Sequence, residues 1–107
     1  MTYKPLPTGF IIKDSPIHGK GIFTEKKITD TETSLGITHV FVQDDKFLYR
    51  TPLGGFINHS DNPNCELHKI GDDPQLRTNH LFAKRTIKPG EEITVKYTMY
   101  RVEDADV

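Results

Sequence analysis

Apolar residues along the chain occur in short runs that alternate with polar residues, and turn-forming residues separate the runs. Turn signals rich in proline, glycine and aspartate occupy residues 14–16 and 88–91, among others. No segment has the period and length of an extended amphipathic helix. The pattern therefore predicts a mostly β domain of short strands, at residues 9–13, 21–25, 40–42, 47–49, 65–70, 80–83 and 93–97.

Length and composition indicate one small domain. The chain has 107 residues, so we expect a single domain over 1–107 with a modest core. A net charge of −1 offers no basic field for nucleic acid, and no direct nucleic-acid partner is predicted. The single cysteine, Cys65, excludes an internal disulfide and a cysteine-clustered zinc site. Because no run suits a signal peptide or a membrane span, we expect a soluble, intracellular protein without a membrane partner.

Residues 54–65 form the most informative stretch, with the sequence Gly-Gly-Phe-Ile-Asn-His-Ser-Asp-Asn-Pro-Asn-Cys. Phe56 and Ile57 are an apolar step that can be buried, and the residues after them favour a polar corner. On turn chemistry alone, this stretch is equally well explained as a capped loop after a strand. The other parts of the chain must decide between a loop and a functional site.

Three separated segments carry recognisable motifs. Residues 15–23 read Ser-Pro-Ile-His-Gly-Lys-Gly-Ile-Phe, residues 56–65 contain Asn-His-Ser and Pro-Asn-Cys, and residues 87–97 read Ile-Lys-Pro-Gly-Glu-Glu-Ile-Thr-Val-Lys-Tyr. In this order they resemble the motifs of the SET-domain protein-lysine N-methyltransferases. The motif-bearing part is 10–100, and cysteine-rich zinc segments flanking the domain are not expected. The chain is similar to a minimal, free-standing, viral-type member.

The resemblance implies a SET-domain fold of several small curved sheets, of the β-clip type. In that fold the C-terminal segment passes beneath a loop to give a knot-like crossing. Such a crossing would bring Asn58 and His59 alongside Tyr97, although these residues are distant in sequence.

The resemblance also implies an activity, the transfer of methyl groups from S-adenosylmethionine to the side-chain amine of lysine in a histone or other protein. The product is S-adenosylhomocysteine, and no metal is expected. A free lysine amine has a pKa near 10.4, so a nearby sulfonium charge and desolvation must favour its neutral form. The alternative is a non-catalytic SET-scaffold module that binds lysine-containing peptides. The target lysine and the degree of methylation remain open.

Five residues match the family's cofactor and catalytic positions. By resemblance, Lys20 and Gly21 contact the cofactor through main-chain groups, and Asn58 and His59 hold its two ends. Tyr97 is the expected catalytic residue and also contacts the cofactor. Taken singly, the glycine segment could be a hairpin turn, His59 a structural histidine and Tyr97 a packing residue.

Three aromatic residues are candidates for the substrate channel. Phe82 matches a position where phenylalanine implies room for more than one methyl group, although it could equally be strand core. Tyr49 and Tyr100 are weaker candidates whose rings could attract a methylated ammonium. Only ten residues follow Tyr97, few to cover such a channel. The smallest free-standing members form dimers, so a homodimer is expected by analogy.

Overall fold

The computed structural model describes residues 6–96, which form two four-stranded β-sheets and a short helix. The mostly β prediction is confirmed. In chain order the elements are β1 (Phe10–Asp14), β2 (Lys20–Thr24), β3 (Gly36–Val42), β4 (Phe47–Arg50), α1 (Pro52–Phe56), β5 (Asn58–His59), β6 (Cys65–Ile70), β7 (Leu76–Ala83) and β8 (Glu92–Val95).

The first sheet has the strand order β1-β2-β8-β5. β1 and β2 form an antiparallel hairpin, and β8 pairs antiparallel with β2. β5 pairs parallel with β8, so that Asn58 lies opposite Thr94 and His59 lies opposite Val95. Parallel neighbours need a long connection between them. This pairing therefore brings the central motif beside the C-terminal motif.

The second sheet has the order β4-β3-β7-β6, and all its pairs are antiparallel. A register shift between Ile37 and His39 interrupts the pairing of β3 with β7. The predicted strand at 80–83 was too short, because β7 begins at Leu76. Residues 76–79 carry mostly polar side chains, yet their backbone pairs with β3. Hydrophobic patterning does not detect such a polar, paired segment.

Helix α1 connects the second sheet to the first. The side chain of Thr51 caps its N-terminus by accepting a hydrogen bond of 3.2 Å from the Gly54 backbone N–H. Gly54 lies directly against the β3 backbone, where an added Cβ would come within 2.1 Å of the Thr38 carbonyl oxygen. The predicted burial of the Phe56-Ile57 step is correct only for Ile57, which is 3% exposed, whereas Phe56 is 39% exposed. The helix ends between them, so the two side chains diverge.

The hydrophobic core joins residues of both sheets, of α1 and of the connecting segments. Its members are Phe10, Ile22, Ile28, Leu53, Ile57, Cys65, Leu81, Ala83, Ile87, Ile93 and Val95. Burial raises the pKa of the Cys65 thiol to about 12, so this cysteine acts as a small apolar residue. Within residues 6–96, no helix has the length and apolar character needed to cross a membrane.

Candidate functional site

The three motif segments meet in one polar cluster, formed by Ser15, Gly21, Asn58 and Glu92. We call it the Glu92 cluster. Glu92 is the first residue of β8 and lies opposite Phe23 of β2. Directly opposite residues share a face of the sheet, and so do alternate residues along a strand. The Glu92 side chain is therefore on the same face as Gly21.

Gly21 leaves the space that the Glu92 carboxylate occupies. A Cβ at Gly21 would lie 2.3 Å from Glu92 Oε2 and 3.1 Å from Asn58 Nδ2. These distances are too short for nonbonded atoms, so a larger side chain would displace the carboxylate. Glycine is thus required here for close approach, and not for an unusual backbone angle.

Asn58 is buried and connects the cluster to the β1–β2 turn. Its Nδ2 lies 2.8 Å from Glu92 Oε2 and 3.1 Å from the carbonyl oxygens of both His18 and Lys20. An amide NH₂ has two hydrogens, so the three acceptors share them. The Asn58 side chain thereby holds the turn against β5.

Ser15 organises the other end of this turn. Its hydroxyl lies 2.8 Å from both carboxylate oxygens of Glu92, and it accepts hydrogen bonds from the backbone N–H groups of Ile17 and His18, at 2.9 and 3.4 Å. The backbone N–H of Ser15 donates to the Gly19 carbonyl at 2.8 Å. Gly19 has a φ of +46°, and an added Cβ there would meet no atom of residues 6–96 within 4 Å. The side of Gly19 on which a Cβ would lie is therefore open within this part of the chain.

The charges around the cluster are unevenly distributed. Glu92 accepts hydrogen bonds from the neutral donors Ser15 and Asn58, and no salt bridge involves it within residues 6–96. Lys20, by contrast, is exposed and forms an ion pair with Asp14 at 2.6 Å. The hydrogen bond and the charge of Lys20 lower the pKa of the Asp14 carboxyl. Lys20 therefore contributes its carbonyl to the cluster, while its ammonium group lies outside it.

His59 lies beside the cluster on β5, and 41% of its side chain is exposed. Its Nε2 is 3.0 Å from Asp61 Oδ1. The ring is therefore not part of the core; its contact with the cofactor stays a prediction beside the alternative of a structural histidine. Because β5 pairs with β8, the backbone of His59 is fixed against Val95.

Asn64 is an organising residue that the sequence analysis did not identify. It is buried, its Nδ2 donates to the Glu92 carbonyl at 2.7 Å, and its Oδ1 accepts from the Thr94 N–H at 3.0 Å. Asn64 therefore fastens the corner after β5 onto β8. The signal in the sequence that could have identified Asn64 is its place in the Pro-Asn-Cys motif.

The predicted channel residues lie elsewhere. Phe82 is on β7 and packs edge-to-face on His68, with ring centroids 5.2 Å apart. It lines an open depression of about 300 Å³ with His68, Thr31 and Glu32. Tyr49 is on the edge strand β4 and is 58% exposed. The structure thus brings Lys20, Gly21, Asn58 and His59 together on the first sheet and places Phe82 and Tyr49 on the second.

Tyr97 and Tyr100 lie outside the described residues. The last described strand, β8, ends at Val95, which pairs with His59.

A family comparison agrees with this arrangement. The family model described as the SET domain matches residues 11–98, which contain all three motif segments. This match covers well over half of the 107 residues.

Curated relatives share parts of this sequence. The chain is 43% identical over 72 residues to a histone-lysine N-methyltransferase, H3 lysine-36 specific, of Mycosarcoma maydis, covering 62% of this chain and 7% of the relative. A Debaryomyces hansenii protein with the same name is 36% identical over 75 residues, covering 67% of this chain and 10% of the relative. The chain thus corresponds to a small part of these much longer relatives.

A solved structure shares the fold. The crystal structure of a proposed histone methyltransferase of Plasmodium falciparum superimposes with a TM-score of 0.70 and 19% sequence identity. The superposition covers 86% of this chain and 95% of the other. At this level of identity, the likeness concerns the fold.

Proposed function

Because this chain belongs to the SET-domain family, we propose that it is an S-adenosylmethionine-dependent protein-lysine N-methyltransferase. The observation that carries the proposal is the convergence of the three motif segments on the Glu92 cluster. Within it, Asn58 Nδ2 donates to the Lys20 carbonyl at 3.1 Å, and only the missing Cβ of Gly21 leaves room for this approach.

The residues around the cluster fit the proposed cofactor. Within residues 6–96, the side of Gly19 on which a Cβ would lie is open, so a ligand could approach the main chain there. The Glu92 carboxylate lacks an ion-pair partner within residues 6–96, which suits a cofactor that carries positive charge. When bound, S-adenosylmethionine would supply the methyl group on its sulfonium and leave S-adenosylhomocysteine. We assign its binding to Lys20, Gly21, Asn58, His59 and Tyr97.

The proposed roles of these residues are separate. The cofactor is proposed to be bound and oriented by the backbone of Lys20 and Gly21 and by the Asn58-His59 pair. Tyr97 is proposed to orient the amine with its hydroxyl, while the nearby sulfonium charge and desolvation of the bound lysine would favour the neutral amine.

The proposed substrate is a lysine side chain in a histone or another protein. The relatives named as specific for H3 lysine-36 support a protein substrate, although this chain corresponds to 7% of the Mycosarcoma maydis relative. Tyr49, Phe82 and Tyr100 remain proposed channel residues. A location in the cytoplasm or a host nucleus also remains a prediction.

The non-catalytic module remains the second candidate, and Tyr97 separates the two. In an enzyme, Tyr97→Phe should lower turnover about a hundredfold, a loss of about 2.7 kcal/mol of transition-state stabilisation, while cofactor affinity changes little. Single-turnover transfer from labelled S-adenosylmethionine to an accepted protein substrate measures this at equal cofactor occupancy. Cofactor binding by the wild type without any transfer to a panel of lysine-containing proteins would favour the module.

We further propose that two chains associate through the outward face of the second sheet. The register places Phe47, Val42 and Leu76 in one row across β4, β3 and β7, and a second row runs from Tyr49 to Ile70. Phe47, Tyr49, Ile70 and Leu76 are between 46% and 58% exposed. Exposed apolar patches of this kind mark association sites.

A second copy suits this face. The two rows carry no charged side chain, because their remaining members are Val40 and Thr78, so identical faces would not repel each other. Sedimentation should show a wild-type dimer at micromolar concentration and a monomer for Leu76→Glu, with unchanged cofactor affinity. A monomeric wild type would refute the proposal. Tyr49→Ala separates the two roles of Tyr49, because a channel residue would affect substrate KM without changing association.

A further inference from the structure

We propose that Glu92 is a positioning residue of the cofactor site, whose carboxylate holds the β1–β2 turn and Asn58 in one fixed arrangement. This inference rests on the proposed function, because it concerns the same site. Glu92 is not among the residues to which the family resemblance assigned a role. It follows from three contacts that converge on one side chain.

The first contact fixes the beginning of the turn. Ser15 Oγ lies 2.8 Å from both Glu92 oxygens and can donate its one hydrogen there, while its lone pairs accept the N–H groups of Ile17 and His18. Residues 16–20 are all exposed, so packing does little to hold them. The hydrogen bond between Glu92 and Ser15 therefore restrains the exposed turn, because Ser15 also accepts hydrogen bonds from the backbone of the turn.

The second contact fixes the orientation of the Asn58 amide. A carboxylate can only accept hydrogen bonds, so Glu92 Oε2, at 2.8 Å, selects the orientation in which Nδ2 faces it. In this orientation, Nδ2 also reaches the carbonyls of His18 and Lys20 at 3.1 Å. The opposite orientation would direct the amide oxygen at three acceptors. Glu92, at the shortest of the three distances, therefore reinforces the orientation in which Asn58 binds the end of the turn.

The third contact is the close approach to Gly21, where a Cβ would come within 2.3 Å of Glu92 Oε2. Glu92 thus touches all the segments from which the cofactor-binding residues were assigned. Its position is set by β8, whose Thr94 pairs with Asn58 of β5. Strand β8 therefore presents one carboxylate to the side chains of Ser15 and Asn58 and to one exposed turn.

Glu91 provides a matched control because it precedes Glu92 and makes different contacts. Its carboxylate pairs with Arg85 at 3.0 Å and accepts from the Lys88 N–H at 2.6 Å. These bonds belong to the turn before β8 and do not touch the Glu92 cluster. Glu91→Gln therefore removes the charge of a neighbouring carboxylate whose bonds lie outside the Glu92 cluster.

The experiment is calorimetric titration of S-adenosylmethionine and, separately, S-adenosylhomocysteine into wild type, Glu92→Gln, Glu91→Gln and Ser15→Ala. A glutamine at 92 has one acceptor oxygen and no charge, so its hydrogen bonds to Ser15 and Asn58 are weaker. We expect Glu92→Gln to bind both ligands about tenfold more weakly, and Ser15→Ala about threefold more weakly. Glu91→Gln should stay within about twofold of the wild type. All titrations are run at a temperature where circular dichroism shows each variant to be folded, so that a loss of stability alone does not change the affinity.

The outcomes separate this inference from the proposed function. No binding of either ligand by the wild type would overturn the proposed function, and the inference with it. Binding by the wild type together with an unchanged affinity of Glu92→Gln would overturn the inference alone. A loss of affinity confined to S-adenosylmethionine would mean that the charge of Glu92 acts on the sulfonium. That outcome would overturn the positioning role. If Glu92→Gln does not fold, Ser15→Ala decides, and wild-type affinity in that variant overturns the inference.

Discussion

The two sheets use polar residues differently. In the first sheet, Ser15 and Asn58 both bond to Glu92, although the three residues are far apart in sequence, and the cluster reaches an exposed turn. In the second sheet, the buried polar residues Thr38, His39 and Asn79 lie in paired strands β3 and β7. The outward face of that sheet is instead apolar and exposed.

This difference indicates where each sheet is sensitive to substitution. Contacts in the first sheet involve the ends of flexible side chains, so a substitution can disturb the site while the fold survives. The close contact of Gly54 with the second sheet involves the β3 backbone, so a substitution at Gly54 must move β3 or α1.

Gly54→Ala should have the largest effect on stability. A Cβ at this position would lie 2.1 Å from the Thr38 carbonyl oxygen and 3.1 Å from its Cα, and backbone atoms cannot rotate away. We expect the free energy of unfolding to fall by about 3 kcal/mol, at the upper end for overpacking. Urea denaturation measures the change.

Gly55→Ala is the matched control, because an added Cβ at Gly55 meets no atom within 4 Å. Replacing an exposed helical glycine with alanine should raise the free energy of unfolding by about 0.5 to 1 kcal/mol. Equal destabilisation by the two substitutions would show that the contact between α1 and β3 is not the cause.

His39 should make stability depend on pH. Burial lowers its pKa from 6.5 to about 4, and the charge of Arg50 acts in the same direction. Between these values the unfolded chain binds more protons than the folded one, so the free energy of unfolding should fall as the pH drops from 6.5 towards 4. The expected loss is about 2 to 3 kcal/mol.

Urea denaturation across this pH range, with His39→Gln for comparison, checks the prediction. Glutamine cannot gain a proton, so the variant should show a flatter profile between pH 6.5 and 4. Parallel profiles would assign the pH dependence to other groups.

Gly21→Ala should affect binding more than folding. The added Cβ would meet the Glu92 carboxylate, the end of a side chain that can move aside. We expect cofactor affinity to fall at least about tenfold, a loss of about 1.4 kcal/mol, while the protein remains folded. Calorimetry measures the affinity.

A double-mutant cycle with Glu92→Gln tests the mechanism of that loss. If the Cβ acts by displacing Glu92, the double variant should bind about as weakly as the weaker single variant. Additive losses would show that Gly21 contributes to binding independently of Glu92.

The sequence predicted local features well and long-range contacts poorly. Alternation located most strands, and the motifs singled out Gly21 and Asn58 before their contact was known. No local pattern could show that the hydroxyl of Ser15 meets Glu92, because 77 positions separate them. Such a contact depends on the pairing of β2, β5 and β8, which only the folded chain defines.

Other differences have equally specific causes. The start of β7 was missed because residues 77–79 are polar, and their strand structure depends on pairing with β3. Exposure of Phe56 was missed because neighbouring apolar residues were expected to be buried together, whereas α1 ends between Phe56 and Ile57. Asn64 was noted only as part of the Pro-Asn-Cys motif, because the sequence does not show that its side chain bonds to the backbone of β8.

The smallest predicted effect concerns the turn between β3 and β4. Gln43, Asp44 and Asp45 have φ values of 54°, 59° and 63°, a left-handed conformation that is unfavourable for residues with a Cβ. Asp45 pairs with Lys69 at 2.9 Å, whereas Asp44 is held through its backbone N–H, which donates to the Pro74 carbonyl at 2.7 Å. A glycine at 44 would keep that bond and relieve the strain.

Asp44→Gly should therefore raise the free energy of unfolding by about 0.5 to 1 kcal/mol, because the relief of strain exceeds the greater flexibility of glycine in the unfolded chain. Cofactor affinity should not change, since this turn belongs to the second sheet and the Glu92 cluster to the first. Lys46→Gly, just beyond the left-handed residues, should instead lower stability, because it adds flexibility without relieving strain. If both variants are destabilised alike, the left-handed turn stores no strain that glycine can relieve. The contrast between the two sheets would then depend on the effect of Gly54→Ala alone.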